Sequence, residues 1–167
     1  MLDLVPDSDI GTTYLEPACG NGNFLAAILQ RKLDRIPERI GGDSSFRLLF
    51  TAVSSVYGVD IQDDNVKESR ERLNKMILTW CSAKGIALSS DKMRILRTVL
   101  RYNIICGNTL AASGKNGPLL FSEWMIRDGK VEQKEYSYAD MIEGGGASEK
   151  CVGHHTYRFS VAVDTAA

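Results

Sequence analysis

The spacing of apolar and polar residues changes several times along the first two thirds of the chain. Short apolar runs predict buried β-strands over 12–18, 56–61 and 102–110. Longer stretches with apolar residues at helical spacing predict helices over 21–36, 45–55, 62–85 and 90–101. Because the strands are separated by helices, the pattern predicts an α/β fold with a parallel sheet and right-handed crossovers.

The pattern beyond residue 110 is different. Residues 119–138 are rich in β-forming side chains and contain Asp128-Gly129, a dipeptide typical of hairpin turns. The glycine-rich stretch that follows predicts a mobile tail, in which 157–163 could form a short strand. We therefore expect one domain over 1–167, which comprises a βαβ core over 12–110, a hairpin extension over 118–142 and a mobile tail over 143–167.

Composition excludes several classes of protein. The chain is 44% hydrophobic and 25% charged, with a formal net charge of -1, so binding to nucleic acid needs a local basic patch. No apolar run reaches the roughly 18 residues of a membrane span. The N-terminal residues lack the basic and apolar regions of a signal peptide, and we expect a cytoplasmic location.

The four cysteines are widely spaced and form no CxxC pair. In a reducing compartment such cysteines are usually small buried hydrophobic residues. Cys151 lies near His154 and His155, but this group lacks the second ligand pair of a spaced zinc motif. We predict no metal site and interpret these residues as part of a polar tail.

Candidate chemistry falls at the predicted carboxyl ends of the three strands. In a parallel α/β sheet these ends meet at one edge, where ligands bind. The segments that would meet there are Glu16 to Gly22, Asp60, and Cys106 to Thr109.

The loop after the first strand has an acidic residue and two glycines. Gly20 and Gly22 permit backbone angles closed to other residues and allow a ligand close to the main chain. Leu25 occupies the third glycine position of a dinucleotide fingerprint, and Glu16 would repel a pyrophosphate. The loop therefore suits a ligand with a positive centre; the alternative is a plain strand-to-helix turn.

Residues 15–24, LEPACGNGNF, resemble the first motif of class I S-adenosylmethionine-dependent methyltransferases, in the form found in amino-group DNA methyltransferases of restriction-modification systems. The resemblance implies a Rossmann-like class I methyltransferase core, here with an incomplete parallel sheet and a C-terminal β-hairpin extension. It also implies that S-adenosyl-L-methionine is the cofactor. Its methionine part would be held by Glu16, Pro17, Ala18, Cys19, Gly20, Gly22 and Phe24.

Two further segments match the family in order. A carboxylate at the end of the second strand, Asp60, can accept hydrogen bonds from both ribose hydroxyls. The alternative role for Asp60 is a charge at the start of the next helix. The resemblance implies that Ile61 packs on adenine, and that Gly107 and Asn108 form the third motif, with Asn108 at the adenine edge. A strand-end asparagine is also a common turn former.

The resemblance fails at the catalytic element. Methylation of an exocyclic amine in this family uses Asn/Asp-Pro-Pro followed by an aromatic residue, and no such tetrapeptide is present. The nearest wording, residues 116–119, lacks the first proline and the aromatic ring, so we assign no catalytic residue. The opening residues MLDLVP resemble the end of an element that precedes the first motif in the family. We therefore expect either a fragment or a reduced relative.

The expected partners depend on two surfaces. Nine basic residues between 67 and 101 could contact DNA, or could be a solvated helix surface. The aromatic hairpin could pair with a second subunit or cover an edge of the sheet. The sequence thus predicts an S-adenosylmethionine-dependent DNA methyltransferase of the adenine-N6 type, or its cofactor-binding portion. The alternatives are a non-catalytic cofactor-binding module of a modification system and a nucleotide-binding fold of other chemistry, such as an oxidoreductase.

Overall fold

The helices and strands follow the predicted order through the first two thirds of the chain. The structure is a computed structural model that describes residues 9–38, 42–143 and 151–159. The helices are α1 (Asn23–Asp34), α2 (Gly42–Ser54), α3 (Asp63–Ala83), α4 (Ser90–Asn103) and α5 (Tyr138–Ile142). The strands are β1 (Tyr14–Glu16), β2 (Val56–Asp60), β3 (Ile104–Asn108), β4 (Ser113–Gly114), β5 (Gly117–Pro118), β6 (Leu120–Arg127), β7 (Lys130–Ser137) and β8 (Cys151–Arg158).

The first sheet is mixed, with strand order β1-β2-β3-β4-β5. Its first three strands are parallel, and the two-residue strands β4 and β5 continue it in antiparallel fashion. The chain is therefore an α/β protein, and the parallel pairing of the predicted strands is confirmed. No strand was predicted for the segment that forms β4, because a two-residue strand leaves no periodic pattern in a sequence.

The two faces of the parallel sheet are covered differently. The helices bury one face in the main hydrophobic cluster, to which Val56 of β2 belongs. Side chains alternate along a strand, so Tyr57 and Val59 point to the other face. There they pack with Leu119 and Phe121 in a second, smaller cluster. Among the described residues, no helix is both long and apolar enough to cross a bilayer.

Strands β6, β7 and β8 form a separate antiparallel sheet. The predicted hairpin is confirmed: its turn has positive φ angles at Asp128 (50°) and Gly129 (69°), which fit the twist of paired strands. The Trp124 indole donates a 2.7 Å hydrogen bond to Oδ1 of the buried Asn103. Asn103 in turn donates to the Ser54 and Val56 carbonyls. The hairpin is thereby fixed to its own chain at the amino end of β3.

The expected mobile tail over 143–167 is corrected where the structure describes it. Cys151–Arg158 is a regular strand, β8, that pairs with β7 along its length apart from a register shift at Glu135/Tyr136. Phe159 then packs edge-on against Phe46 of α2, with ring centroids 5.1 Å apart. The opening residues interpreted as an upstream element, and residues 160–163 of the possible strand, lie outside the described residues.

A buried lysine, Lys32, is hydrogen bonded to the segment that leads into β1. Lys32 as a residue is only 4% exposed. It donates to the Ile10 carbonyl (2.7 Å), the Thr12 carbonyl (2.6 Å) and Ser55 Oγ (2.8 Å). Burial lowers its pKa to about 8. Lys32 thus ties the segment that leads into β1 to the end of α2, and so helps to set the position of β1.

Candidate cofactor-binding site

The three predicted strand ends meet at one edge of the sheet. Glu16 at the end of β1 lies beside Gly58, and Asp60 at the end of β2 lies beside Cys106. The loop after β1 returns to β2, where the Cys19 amide donates to the Val59 carbonyl at 2.8 Å. Thr109, just past β3, donates a long hydrogen bond of 3.4 Å to the Pro17 carbonyl. The three segments that the sequence predicts to line a crevice therefore lie together at this edge of the sheet.

The two loop glycines adopt left-handed backbone conformations, with φ of 53° at Gly20 and 82° at Gly22. They differ in their surroundings. A Cβ on Gly22 would lie 2.7 Å from Ser69 Oγ and 3.0 Å from Ser69 Cα, so only glycine lets the loop approach α3 this closely. A Cβ on Gly20 would meet no atom within 4 Å, so this position borders open space that a ligand could fill.

Asp60 organises the crevice. Its Oδ2 accepts from the Gly20 amide at 2.9 Å, and its Oδ1 accepts from the Gln62 amide (2.9 Å) and the Asn65 side chain (3.0 Å). Partial burial acts to raise the pKa of Asp60, but these three hydrogen bonds outweigh it and hold the pKa below the ordinary value of 3.8. The carboxylate is ionised at neutral pH. Three of its roughly four acceptor positions are already used by the protein.

The bond to Gln62 bears on the alternative role of Asp60. Gln62 is the N-cap residue of α3, so Asp60 also supports the start of that helix. This is the alternative role that the sequence allowed for Asp60. The bond from Gly20 is different in kind, because it joins two segments 40 residues apart. Asp60 therefore serves both the helix and the loop.

Side chains of helix α3 hydrogen bond to the loop after β1, and these contacts were not predicted from the sequence. Ser69 Oγ donates to the Gly20 carbonyl at 2.9 Å, and Arg72 Nε donates to the Asn21 carbonyl at 3.0 Å. Glu68 accepts from the Asn21 side chain at 3.2 Å. With Asn65, these residues recur at helical spacing on the face of α3 turned to the loop. That spacing was visible in the sequence, but nothing there showed which face would meet the loop.

Glu16 and its neighbours lie at the start of the loop after β1. The Glu16 carboxylate accepts from the Ala18 amide at 3.2 Å and is therefore folded over its own loop. Pro17 and Ala18 are exposed, whereas Cys19 is buried. Burial, the largest influence, raises the pKa of the Cys19 thiol to about 11, despite a hydrogen bond with Ser69 that lowers it. Cys19 is thus protonated at neutral pH and has a packing role.

The two apolar candidates lie in different environments. Phe24 on α1 is partly buried and packs against the main hydrophobic cluster, so its ring belongs to the core. Ile61, by contrast, is 70% exposed next to Asp60. An exposed apolar side chain beside a polar crevice suits a flat ring laid across the strand ends. Leu110, which follows the third strand end, is also exposed, at 99%.

The third segment is shaped by the β4–β5 hairpin. A Cβ on Gly107 would lie 2.7 Å from the Leu119 side chain and 2.8 Å from the Ser113 carbonyl, so this glycine permits the pairing of β3 with β4. The Asn108 carbonyl oxygen Oδ1 accepts from the Ala111 amide at 3.1 Å. Asn108 thus has the turn-forming role that the sequence left open, and its NH₂ group is the part that could donate to a ligand.

Residues 116–119, the nearest wording to the catalytic tetrapeptide, lie in and beside strand β5. Gly117 and Pro118 lie in the exposed strand β5, and Leu119 is 1% exposed inside the smaller cluster.

Cys151 and His154 are exposed on β8, and His155 lies 3.2 Å from Glu135. Within the described ranges, no three His, Cys, Asp or Glu side chains are grouped closely enough to hold a metal ion.

Most of the nine basic residues between 67 and 101 form ion pairs or hydrogen bonds with other parts of the chain. Six of the nine are held by carboxylates or backbone carbonyls. Lys92 is the most buried, 2.7 Å from Asp43. The nine residues are Lys67, Arg70, Arg72, Lys75, Lys84, Lys92, Arg94, Arg97 and Arg101, and the engaged ones are Lys67, Arg70, Arg72, Lys84, Lys92 and Arg94. This pattern favours a structural, solvated surface over a free basic face for DNA.

The difference between the two glycines yields a prediction. Gly22→Ala is expected to lower the free energy of unfolding by roughly 2–4 kcal/mol, because strain at positive φ is joined by a clash with Ser69. Gly20→Ala carries the conformational strain alone and is expected to cost about 1 kcal/mol. Urea denaturation of both variants measures the difference. Equal losses would contradict the close approach of the loop to α3.

Comparison with protein-family models, with curated proteins and with solved structures finds no match to this chain.

Proposed function

We propose that this chain binds S-adenosyl-L-methionine in the crevice and is an adenine-N6-type DNA methyltransferase or the cofactor-binding portion of one, with a cytoplasmic location. One observation carries the proposal: the Asp60 carboxylate stands at the end of β2, hydrogen bonded to the Gly20 backbone of the loop. An ionised acceptor beside a tight glycine loop is suited to hydrogen bonding the ribose of a nucleoside ligand.

The residues of the crevice fit the parts of the cofactor. The Glu16 carboxylate and the loop Cys19–Gly22 would hold the methionine end, whose ammonium group complements an acidic residue. Asp60 would accept from the ribose. The exposed Ile61 would pack on the adenine ring, and the Asn108 NH₂ group would donate to its edge. When bound, the cofactor supplies a methyl group made electrophilic by its sulfonium.

The hydrogen bonds of Asp60 constrain how it receives a ribose. Since one acceptor position remains, one hydroxyl can bind without any change in the protein. Binding of both hydroxyls requires a protein donor to leave, and the Gly20 amide is the donor that belongs to the loop rather than to α3 or its cap. We therefore propose that the loop shifts when the ribose binds through both hydroxyls.

The fold class proposed with this function is Rossmann-like. It is supported by three adjacent parallel strands, β1-β2-β3, whose connections contain the helices α1 to α4. The loop after the first strand, the carboxylate after the second and the polar residue after the third then occupy equivalent positions at one edge. This repetition is the reason to prefer a cofactor crevice over an isolated turn.

A non-catalytic cofactor-binding module is the second candidate. It is favoured by a specific observation: Leu119 is buried where the nearest counterpart of the catalytic tetrapeptide would need an exposed aromatic ring. Such a module would keep the crevice and lack turnover. Its partners would be a DNA-modifying enzyme or a second copy of the chain.

Calorimetric titration with S-adenosylhomocysteine and, separately, with NAD tests the cofactor. We expect S-adenosylhomocysteine to bind and NAD to bind much more weakly, because Glu16 and Leu25 replace features that a pyrophosphate needs. Tight binding of NAD alone would refute the proposal. Transfer of a tritiated methyl group to double-stranded DNA then separates the enzyme from the non-catalytic module, with heat-denatured protein as the blank.

A further inference from the structure

A cavity lies on the opposite face of the sheet from the helices. It has a volume of about 260 Å³ and opens between the strands β1 and β2 on one side and β6, β7 and α5 on the other. Tyr57 and Phe121 form its floor, with ring centroids 5.8 Å apart, and Tyr138 adds a wall 5.3 Å from Phe121. Leu15 and Met141, 40% and 43% exposed, stand at its mouth.

This cavity is separate from the cofactor crevice. Leu15 and Glu16 are neighbours in β1 and therefore point to opposite faces of the sheet. Leu119, just before β6, lies against Gly107 near the carboxyl ends of the parallel strands. Further along β6, Trp124 is hydrogen bonded to Asn103 at the amino end of β3. Glu123 precedes Trp124, so the charged part of the cavity lies toward the amino end of the strands.

The lining carries one negative charge, on the exposed residue Glu123. Within the described part of the chain, Glu123 is the only charged residue among those that line the cavity. Lys134 lies opposite Glu123 in the ladder, and the Glu123 carboxylate accepts a 3.1 Å hydrogen bond from the Tyr136 hydroxyl. The carboxylate is thus oriented by a neutral phenol, and no cationic side chain is among the described residues that line the cavity.

The aromatic rings of the lining also favour a cation. The Tyr57 hydroxyl donates to the Ser122 carbonyl at 2.6 Å, so its oxygen is directed away to the backbone while its ring remains part of the lining. Burial and then the Glu123 charge raise the pKa of Tyr57, which stays a neutral phenol. Neutral aromatic faces carry negative charge density and stabilise a cation that has lost part of its water.

We propose that this cavity binds the head of a small alkylated ammonium compound, in contact with the Tyr57 and Tyr138 rings and balanced by Glu123. Alkyl groups on the nitrogen fit the apolar mouth formed by Leu15 and Met141, whereas the charge is stabilised by the rings and the carboxylate. The ammonium could belong to a free compound or to a methylated lysine side chain of a protein. The two sources share the same chemistry.

Choline, an acetylated trimethyllysine peptide and 3,3-dimethylbutan-1-ol are the probes, titrated into the full chain by calorimetry. The last compound has the shape of choline without its charge. We expect one or both cations to bind at least about tenfold more tightly than the neutral alcohol, and the tighter cation identifies the source. Binding of the alcohol with equal affinity, or of neither cation, would overturn the proposal.

Matched variants locate the site. Glu123→Gln and Tyr138→Leu are each expected to weaken binding of the cation about tenfold, while Tyr138→Phe, which keeps the ring, stays within about twofold of the wild type. Glu132→Gln on β7 removes one negative charge away from the cavity lining and is expected to have no effect. Equal weakening by Glu123→Gln and Glu132→Gln would show a general charge effect and refute the assignment. Thermal unfolding confirms that each variant is folded.

Discussion

Asp60→Asn is expected to weaken the binding of S-adenosylhomocysteine by at least about 100-fold, or roughly 2.7 kcal/mol. Asparagine lacks the charge that strengthens a bond to a ribose hydroxyl. It also has an NH₂ group where Asp60 now presents an acceptor: if Oδ1 keeps its bonds to Gln62 and Asn65, the NH₂ group faces the Gly20 amide. Two donors would then oppose each other, and the loop would lose its link to β2.

Asp63→Asn is the matched control for Asp60→Asn. Asp63 lies three residues further along, in the first turn of α3, and its carboxylate pairs with Lys67 at 2.9 Å. Calorimetry on both variants compares the loss of a charge inside and outside the crevice. We expect Asp63→Asn to bind within about threefold of the wild type, since exposed ion pairs contribute little. Binding by Asp60→Asn at wild-type strength would remove Asp60 from the site.

Hydrogen exchange tests the hydrogen bond between Gly20 and Asp60 independently of any ligand. The Gly20 amide is held by Asp60 in the described structure, so its exchange is expected to be faster in Asp60→Asn with no ligand present. If S-adenosylhomocysteine does not bind the wild type but the Gly20 amide is protected in it, the proposed cofactor is wrong while the geometry of the loop stands.

Lys32→Met is expected to lower the free energy of unfolding by about 3 kcal/mol, because the Ile10 and Thr12 carbonyls and Ser55 Oγ lose the charged donor that Lys32 supplies. For a chain of this length the loss corresponds to a fall in Tm of roughly 6–12 °C. Methionine fills a similar volume, so the effect measures the lost hydrogen bonds rather than a cavity. Thermal and urea denaturation provide the measurement.

The control for Lys32→Met is Lys84→Met, which removes a partly exposed lysine paired with Glu38 at 3.0 Å. It is expected to cost less than about 1 kcal/mol. The pH dependence gives a second check. Because the folded pKa of Lys32 is about 8 and the ordinary value is 10.5, the unfolded chain binds more protons between these values. Lys32 therefore makes stability rise with pH in that window, relative to Lys32→Met, and the opposite sign would contradict the lowered pKa.

Local signals in the sequence were sufficient for most of the secondary structure. The helical spacing of apolar residues predicted α1, α2, α3 and α4, and Asp128-Gly129 predicted the turn between β6 and β7. Strand β8 was missed because CVGHHTYR carries little alternation of apolar and polar residues. Its pairing depends on the free edge of β7, and an edge is a property of the folded sheet.

The candidate crevice was predictable in outline and not in detail. Parallel strands place their carboxyl ends at one edge, so Glu16, Gly20 and Asp60 could be brought together from order alone. The contacts of Ser69 and Asn65 could not, because many polar residues on α3 have suitable chemistry and only packing selects the face that meets the loop. Asn108 had two compatible roles in the sequence. The position of the Ala111 amide shows that its Oδ1 serves the turn, while the NH₂ group stays assigned to the proposed adenine contact.

The sequence by itself determined the order and type of the main elements and which side chains stand at the strand ends, because these depend on local periodicity and on the direction of the chain. Only the tertiary structure decided that Gly22 must be glycine against Ser69, that Lys32 is buried among backbone carbonyls, and that the hairpin packs on its own chain through Trp124 and Asn103. Each of these depends on atoms at least 20 residues apart in sequence, whose distances are fixed only when the helices and sheets pack together.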